Sequence, residues 1–296
     1  MAEDKEMTHV EHYVPKLYFR QFSESGKSLY RYKTTNLDKG PELRSIDRIC
    51  RDIDMYELLD ENKDYIAPNR IEHIFGRLET EVGRVIKSIK VKSQNENCQK
   101  CPAVLSNNDK SYLIIFITSL LFRDPKTIEL GIRNLQEANP SIDTREARNF
   151  TLLNLLPLGI DQDWDNNTII RTAIERLCGM AFQIGLADND EIITSDRPVV
   201  LWPPNENDPY DRPRAVVLPL TSRIVIYLYP MENVDPIGRN CFIKLSDEQI
   251  RDIQYNVSIY ARDWIFTRNQ LNSKQLEVIK EARRSMEDEK NKDRSH

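Results

Sequence analysis

The stretch NRIEHIFGRLETEVGRVIKSIKV, residues 69–91, carries the strongest structural signal in this chain. Its apolar side chains recur at steps of three and four residues, which places them on one face of an α-helix. They are Ile71, Ile74, Phe75, Leu78, Val82, Val85, Ile86 and Ile89. The sequence therefore predicts a long amphipathic helix over residues 69–91 that packs its apolar face into a core.

Further helices are predicted on the C-terminal side of this stretch. Residues 109–123 are apolar on nearly every face, which is typical of a central buried helix. Residues 126–158 have a helical pattern that Pro140 and Pro157 interrupt. Another buried helix is predicted from the apolar spacing of Ile169, Ile170, Ala173, Leu177, Met180, Ala181 and Ile184.

Strands are predicted at both ends of the chain. SLYRYKT (28–34) alternates and is rich in tyrosine, so we expect it to pair with LRSIDRI (43–49) in a hairpin. Residues 191–245 contain short β-branched runs that are typical of an antiparallel meander. The fold class predicted is α+β, with a predominantly helical core, a small N-terminal hairpin and a C-terminal antiparallel β meander.

Composition sets the domain organisation and the setting. The chain has 296 residues, 40% apolar and 30% charged, which is typical of a globular protein. We predict a disordered N-terminus over residues 1–9, a single α+β domain over 10–268 and a charged helical tail over 269–296. The five cysteines are odd in number and scattered, which favours a reducing cytoplasm over a disulfide framework.

Membrane and nucleic-acid partners are constrained by apolar run length and by charge. The longest apolar run, YLIIFITSLLF (112–122), is shorter than the roughly 18 residues that span a bilayer, so we expect no membrane partner. The net charge of −5 argues weakly against a protein that coats nucleic acid, although a local basic patch is compatible with it.

His12 is the first candidate site residue. The chain has four histidines, and His9 and His12 form an H-x-x-H pair. Pro15 favours a helix that starts after both, so their spacing does not define a metal site. Two interpretations stay open: His12 caps the helix or binds a backbone carbonyl, or it acts as a catalytic base or ligand.

Three more candidates lie on the predicted central helices. Glu72 and Glu79 are seven residues apart, so they share one helix face at the border of the apolar stripe. They point either into a cleft or into solvent. Arg123 ends the most apolar helix, where it neutralises the helix C-terminus or binds a carboxylate or phosphate.

The stretch ITSDRPVV (193–200) supplies Ser195 and Asp196. A proline follows at position 198, so both residues lie at a predicted strand end, where protein scaffolds present site residues. The alternative is an Asx-turn in which Asp196 accepts hydrogen bonds from nearby backbone N–H groups.

Metal and phosphate motifs do not match. Cys98 and Cys101 form one C-x-x-C without two further ligands nearby, and residues 161–172 lack the glycine and glutamate of a calcium loop. The chain has no P-loop and no dinucleotide-binding glycine motif.

Three stretches together resemble a prokaryotic family known as domain of unknown function 4238. They are HYVPKLYFRQF (12–22), ITSDRPVV (193–200) and LPLTSR (218–223), and the resemblance spans about residues 9–267. One departure is Arg197, which stands where the family often has asparagine. The resemblance implies family positions at His12, Pro15, Glu72, Glu79, Arg123, Pro125, Ser195, Asp196, Pro198, Pro219, Leu220 and Asn256.

Two functional hypotheses follow. In the first, the protein is a phosphodiester hydrolase acting on nucleic acid or nucleotides, with His12, Glu79 and Asp196 as catalytic residues. Arg123, Ser195, Asn256 and Glu72 would bind the substrate, and the carboxylates could hold Mg²⁺ or Mn²⁺. The resemblance adds a bacterial or archaeal defence or toxin-like setting.

The second hypothesis is a non-enzymatic sensor or protein-interaction module, with a protein partner or a second copy of the chain. The His, Asp and Arg residues would then form a buried structural network with no open cleft.

Overall fold

The computed structural model describes residues 9–66, 68–95, 103–155, 168–202 and 213–293. The helices are α1 (Lys16–Phe19), α2 (Arg70–Ser93), α3 (Asn107–Phe122), α4 (Pro125–Ala138), α5 (Thr144–Leu155), α6 (Thr168–Cys178), α7 (Asp247–Tyr260) and α8 (Ser273–Asp293). The strands are β1 (Val10–His12), β2 (Ser28–Lys33), β3 (Glu42–Ser45), β4 (Arg51–Ile53), β5 (Met180–Leu186), β6 (Thr194–Ser195), β7 (Val200–Trp202), β8 (Ala215–Pro219), β9 (Ile224–Pro230), β10 (Phe242–Lys244) and β11 (Trp264–Thr267). The chain is therefore an α+β protein. Within these ranges, no helix is both long and apolar enough to cross a bilayer.

The chain divides into two compact units, each built from three separate segments. Unit 1 comprises Met1–Pro15, Cys50–Val85 and Asn107–Cys178. Unit 2 comprises Lys16–Ile49, Ile86–Ser106 and Gly179–His296. Helix α2 supplies residues to both units, because the division falls after Val85.

Unit 1 is helical around the apolar stripe that the sequence predicts. The stripe of α2 is buried as expected except at Ile74, which is half-buried, and Phe75 and Val82 are fully enclosed. Helix α3 is largely buried from Leu113 to Leu120, with Phe116 and Ile117 fully enclosed, as its apolar sequence predicts, and its first turn is exposed or half-buried. A two-stranded antiparallel sheet, β1 with β4, completes the described part of unit 1.

Unit 2 contains two sheets. The five-stranded sheet has the order β10-β5-β9-β8-β7, and the four-stranded sheet has the order β3-β2-β11-β6. The predicted hairpin is confirmed, since β2 pairs antiparallel with β3 from Ser28 opposite Ser45 to Arg31 opposite Glu42. Strand β11 pairs with the other edge of β2, so the hairpin belongs to a larger sheet.

The aromatic cluster after Pro15 anchors the core of unit 2. Tyr18, Phe19 and Phe22 are fully buried. The Tyr18 hydroxyl donates to the carbonyl of Pro219 at 2.6 Å and lies 2.6 Å from Thr194 Oγ1. The phenol oxygen is thus satisfied inside an apolar core, which avoids the cost of an unpaired buried polar group.

Two predictions about the later part of the chain are wrong. The predicted helix through Ile184 ends at Cys178, and Met180–Leu186 form strand β5. This strand pairs on both sides, with β9 and β10, so its apolar run is nearly continuous. A continuous apolar run cannot be told from a buried helix by periodicity alone.

The predicted meander is also rearranged. Strands β7, β8 and β9 follow one another antiparallel, but β6 belongs to the other sheet and β10 pairs parallel with β5.

Elsewhere, the capping box of Ser246 and Gln249 at the start of α7 is confirmed. The tail from Ser273 to Asp293 is helical, as expected. The predicted disorder of residues 1–8, the Cys98/Cys101 pair and residues 161–167 of the rejected calcium loop lie outside the described residues.

Candidate functional site

Strand pairing in unit 1 brings the start of the chain to the loop after β4. Glu11 lies opposite Asp52, and His12 lies opposite Arg51. The pairing extends beyond the strands, because Asp54 N donates to His9 O at 2.9 Å and Tyr13 N donates to Cys50 O at 3.0 Å. The Glu11 side chain is thereby held against residues 54–57.

Glu11 is a buried carboxyl with one satisfied oxygen. Its side chain has no exposed surface. Oε2 accepts the backbone N–H of Tyr56 at 2.8 Å, and no described residue donates a hydrogen bond to the buried Oε1. Burial raises the pKa of Glu11 to about 7; the Tyr56 N–H opposes this, and the nearby Glu57, Glu72 and Asp54 carboxylates add to it. This carboxyl therefore exchanges its proton near neutral pH.

Two further glutamates complete a carboxylate cluster with Glu11. Glu57 is buried, and its Oε1 accepts the backbone N–H of Asn69 at 2.9 Å. Glu72 lies on α2, and among the described residues its buried Oε2 has no hydrogen-bond donor. We call Glu11, Glu57 and Glu72 the carboxylate cluster.

Arg148 on α5 holds the loop that carries Glu57. Its guanidinium donates to the carbonyl of Asp54 at 2.7 Å, to that of Met55 at 3.1 Å, and to that of Glu57. Burial lowers the pKa of Arg148, while Glu11, Glu57 and Asp54 oppose this. An arginine that donates to three carbonyls within residues 54–57 fixes the loop geometry beside the carboxylate cluster.

Among the described residues of unit 1, Arg123 is the most enclosed cation. Its guanidinium carbon lies 3.9 Å from the centre of the Phe75 ring and 5.6 Å from that of Tyr56. Nε donates to the Tyr56 hydroxyl at 3.3 Å, Nη1 lies 3.4 Å from Glu79 Oε1, and Nη2 donates to the carbonyl of His12. The side chain is only 2% exposed, so the guanidinium is enclosed by protein groups on all sides.

The structure thus brings together four of the residues that the sequence singles out. His12, Glu79 and Arg123 form one contact network, and Glu72 is an electrostatic neighbour of Glu11 and of Arg123. The His12 side chain is buried, and its backbone carbonyl is the group that Arg123 contacts.

The other predicted site residues belong to unit 2. Asp196 is buried; its Oδ1 accepts the N–H of Arg262 at 2.9 Å, and its Oδ2 accepts those of Asp263 at 2.8 Å and Trp264 at 3.2 Å. Burial raises the pKa of Asp196, and the backbone N–H groups of Asp263 and Arg262 oppose it. The carboxylate therefore fastens β6 to the turn between α7 and β11.

Ser195 and Asn256 make local hydrogen bonds. The Ser195 hydroxyl donates to the carbonyl of Arg197 at 2.8 Å, in a tight turn before Pro198. The Asn256 amide donates to the carbonyl of Asp252 at 2.8 Å, one turn earlier in α7.

A divalent metal does not fit the described side chains. No group of three His, Cys, Asp or Glu side chains in the described ranges is placed to hold a metal ion. In the carboxylate cluster, Glu11 and Glu57 each accept a backbone N–H, and burial raises the pKa of Glu11 to about 7, which makes a poor donor set for Mg²⁺ or Mn²⁺.

Sequence reasoning missed Glu11, Glu57 and Arg148. The signal available was position alone: Glu11 immediately precedes His12 in the opening motif. Nothing local marks Glu57 or Arg148, because their roles depend on a loop and a helix far apart in sequence.

Comparison with known proteins agrees with the resemblance seen in the motifs. The family described as protein of unknown function DUF4238 matches residues 11–271, and the chain belongs to this family. No curated protein and no solved structure matches the chain.

Proposed function

We propose that this chain is a hydrolase acting on nucleic acid or nucleotides, with the Glu11 carboxyl of unit 1 as its acid–base group. The proposal rests on the burial, the hydrogen bonding and the pKa of this carboxyl. It is buried, one oxygen is free of hydrogen bonds from described residues, and its pKa is raised to about 7. A group that gains and loses a proton near the working pH is what general acid–base hydrolysis requires.

Glu72 supports the same role. Its buried Oε2 also lacks a donor among the described residues, and its charge raises the pKa of Glu11. In this proposal Glu11 carries and transfers the proton, and Glu72 is the second carboxyl of the site.

Arg123, His12 and Glu79 have supporting roles in the proposal. Because Arg123 is enclosed by Phe75 and Tyr56, we give it a positioning role through the His12 carbonyl and Glu79 in place of phosphate binding. Asp196 is left outside the acid–base site, since both its oxygens accept backbone N–H groups. Ser195 and Asn256 are left outside with it.

The substrate class and the setting come from the sequence. A histidine, carboxylates and an arginine are groups that phosphodiester hydrolysis uses, and their presence in the sequence supports nucleic acid or nucleotides as substrates. The scattered cysteines support a cytoplasmic location, and the family resemblance supports a defence or toxin-like setting. No step of the proposal passes through a metal ion.

The test is hydrolysis by wild type and Glu11→Gln with single-stranded DNA, RNA and nucleoside triphosphates, in the presence of a chelator. Glutamine keeps the shape and the acceptor for Tyr56 N but cannot transfer a proton. We expect wild type to cleave one class and Glu11→Gln to be slower by about 10²–10⁴-fold. Glu61→Gln, at an exposed glutamate of unit 1, should cleave at the wild-type rate.

A wild-type rate in Glu11→Gln would overturn the assignment of Glu11. A wild type that cleaves none of these substrates would favour the second hypothesis, a sensor or protein-interaction module. The observation favouring that alternative is that Arg123 and Asp196 are both engaged by protein groups, as in a structural network.

A further inference from the structure

A polar pocket of about 420 Å³ lies within unit 2, and none of its lining residues belongs to the carboxylate cluster. It is formed by the last turns of α2, the end of β5 and the turn between β8 and β9. That turn is the LPLTSR stretch of the sequence, and its Thr221, Ser222 and Arg223 line the pocket. The volume lies in the range of small-molecule sites in proteins, about 300–1,000 Å³.

The lining is positively charged although the whole chain is acidic. Three cations line the pocket, Lys90, Arg223 and Arg268, against one described acid, Asp190. Asp190 already accepts the Ser222 hydroxyl at 2.5 Å and lies 3.6 Å from Arg268 Nε. Arg268 and Asp190 therefore largely cancel each other, and Lys90 and Arg223 remain.

Lys90 and Arg223 have no carboxylate partner among the described residues. Arg223 donates to the carbonyls of Ala187 at 3.4 Å and Asp188 at 2.5 Å, which orient the guanidinium without neutralising its charge. Lys90 is exposed and forms no ion pair with any described side chain. Two uncompensated cations at one concave surface attract an anion.

The pocket wall is held in place by its own hydrogen bonds. Thr221 Oγ1 accepts the backbone N–H groups of Arg223 and Ile224, each at 3.0 Å. Ser222 N donates to Gln21 O at 3.4 Å, and Ile192 N donates to Ser222 O at 2.9 Å. A turn fixed in this way presents its side chains without a large ordering cost on binding.

We infer that this pocket binds a phosphorylated small molecule, with the phosphate at Lys90 and Arg223 and hydroxyl groups of the ligand at the polar wall. Ser93, Gln94 and Thr221 supply that wall. None of the described lining residues is aromatic, so the pocket offers no ring on which a nucleobase could stack. A sugar phosphate fits this chemistry better than a nucleotide. The inference does not depend on the hydrolase proposal.

The test is calorimetric titration of the full chain with ribose 5-phosphate, inorganic phosphate and ribose. We expect ribose 5-phosphate to bind more tightly than inorganic phosphate and ribose not to bind. Lys90→Gln should weaken ribose 5-phosphate binding about tenfold, the effect of losing one charge-assisted contact. Lys87→Gln, one turn earlier on the exposed surface of α2 and outside the lining, should stay within about twofold of wild type.

A third variant is expected to strengthen the binding of ribose 5-phosphate. Asp190→Asn removes the acid of the pocket, so we expect ribose 5-phosphate to bind about threefold more tightly. The inference is overturned if ribose 5-phosphate does not bind at about 5 mM, or if Lys90→Gln and Lys87→Gln weaken it equally, which would indicate diffuse surface attraction. Equal affinity for inorganic phosphate would overturn the recognition of hydroxyl groups.

Discussion

At the scale of single residues, Glu11 combines full burial with a single hydrogen-bond donor among the described residues. A carboxylate loses much of its hydration when it is buried, and one backbone N–H from Tyr56 compensates only part of that loss. Protonation removes the charge and is therefore favoured in the folded state. The same feature that suits Glu11 for proton transfer makes the folded protein sensitive to pH.

The sign of this sensitivity follows from the raised pKa. The folded state holds the Glu11 proton up to about pH 7, whereas the unfolded chain releases it near 4.5, the ordinary value. The stabilisation that the raised pKa of Glu11 gives to the folded state is fully present below pH 4.5 and is lost as the pH rises through 7. The ionised, buried Glu11 then lowers the free energy of unfolding by on the order of 2 kcal/mol.

Melting temperatures measured from pH 5 to 8.5 test this at Glu11. We expect Glu11→Gln to match wild type at the acidic end and to melt several degrees higher above pH 7, a shift typical of about 2 kcal/mol. Glu61→Gln should follow wild type throughout. If the melting temperatures of wild type and Glu11→Gln changed in parallel with pH, Glu11 would have the same pKa in the folded and unfolded states, which would contradict the prediction.

At the scale of secondary-structure elements, Asp196 connects two parts of unit 2. Its carboxylate accepts three consecutive backbone N–H groups, from Arg262 to Trp264, at the turn where α7 ends and β11 begins. Arg262 and Asp263 lie between the end of α7 and the start of β11, and Trp264 is the first residue of β11. The Asp196 side chain supplies acceptors for the N–H groups of all three residues.

Asp196→Asn is therefore expected to lower stability. The amide places an N–H₂ group against backbone donors, so at least one hydrogen bond to the carboxylate is lost, at about 2 kcal/mol. Urea unfolding measures the change. Asp252→Asn, at an exposed position of α7, is the matched control and should change stability by less than about 0.5 kcal/mol. Equal effects would contradict a role for Asp196 in the turn.

Helices and strands could be predicted from the sequence where the local pattern of apolar residues is strong. The period of α2, the uniform apolarity of α3 and the alternation of β2 each predicted their element. The prediction for strand β5 was wrong because both of its edges and much of its surface are covered, so its sequence has no alternation of apolar and polar residues. The pairing of β2 with β3 was predicted because a short turn joins the two strands. The pairing of β2 with β11 and the parallel pairing of β5 with β10 could not be predicted, since they depend on contacts between distant segments.

The candidate site could be predicted only in part, because it also depends on contacts between distant segments. Arg123 stands out in sequence because a cation ends an apolar helix, and Glu79 lies at the border of an apolar stripe. Glu11 does not stand out, because charged residues are almost always exposed and its burial depends on Tyr56, 45 residues away. The burial and the pKa of a carboxyl depend on the tertiary structure.

At the scale of the whole molecule, neither unit is a continuous stretch of chain. The sequence passes between the units five times, after Pro15, Ile49, Val85, Ser106 and Cys178. Strand β11 near the end of the chain pairs with β2 near its start. A cut anywhere in the middle therefore removes part of both units.

A fragment of residues 179–296 tests this dependence. It keeps β11 but lacks β2 and β3, so the four-stranded sheet loses half of its strands. We expect the fragment to show no cooperative thermal transition by circular dichroism and to be cleaved rapidly by protease, whereas the full chain melts cooperatively. A fragment that melts cooperatively would show that the C-terminal segment folds alone.

The pairing of β2 with β11 also bears on how the protein is made in the cell. The ribosome adds the more than two hundred residues between these strands in roughly 10–50 s. Throughout that time the β2–β3 hairpin exposes an open strand edge on the nascent chain, which is a template for aggregation. We therefore expect biosynthesis to depend on a chaperone that holds the N-terminal segment until translation reaches β11.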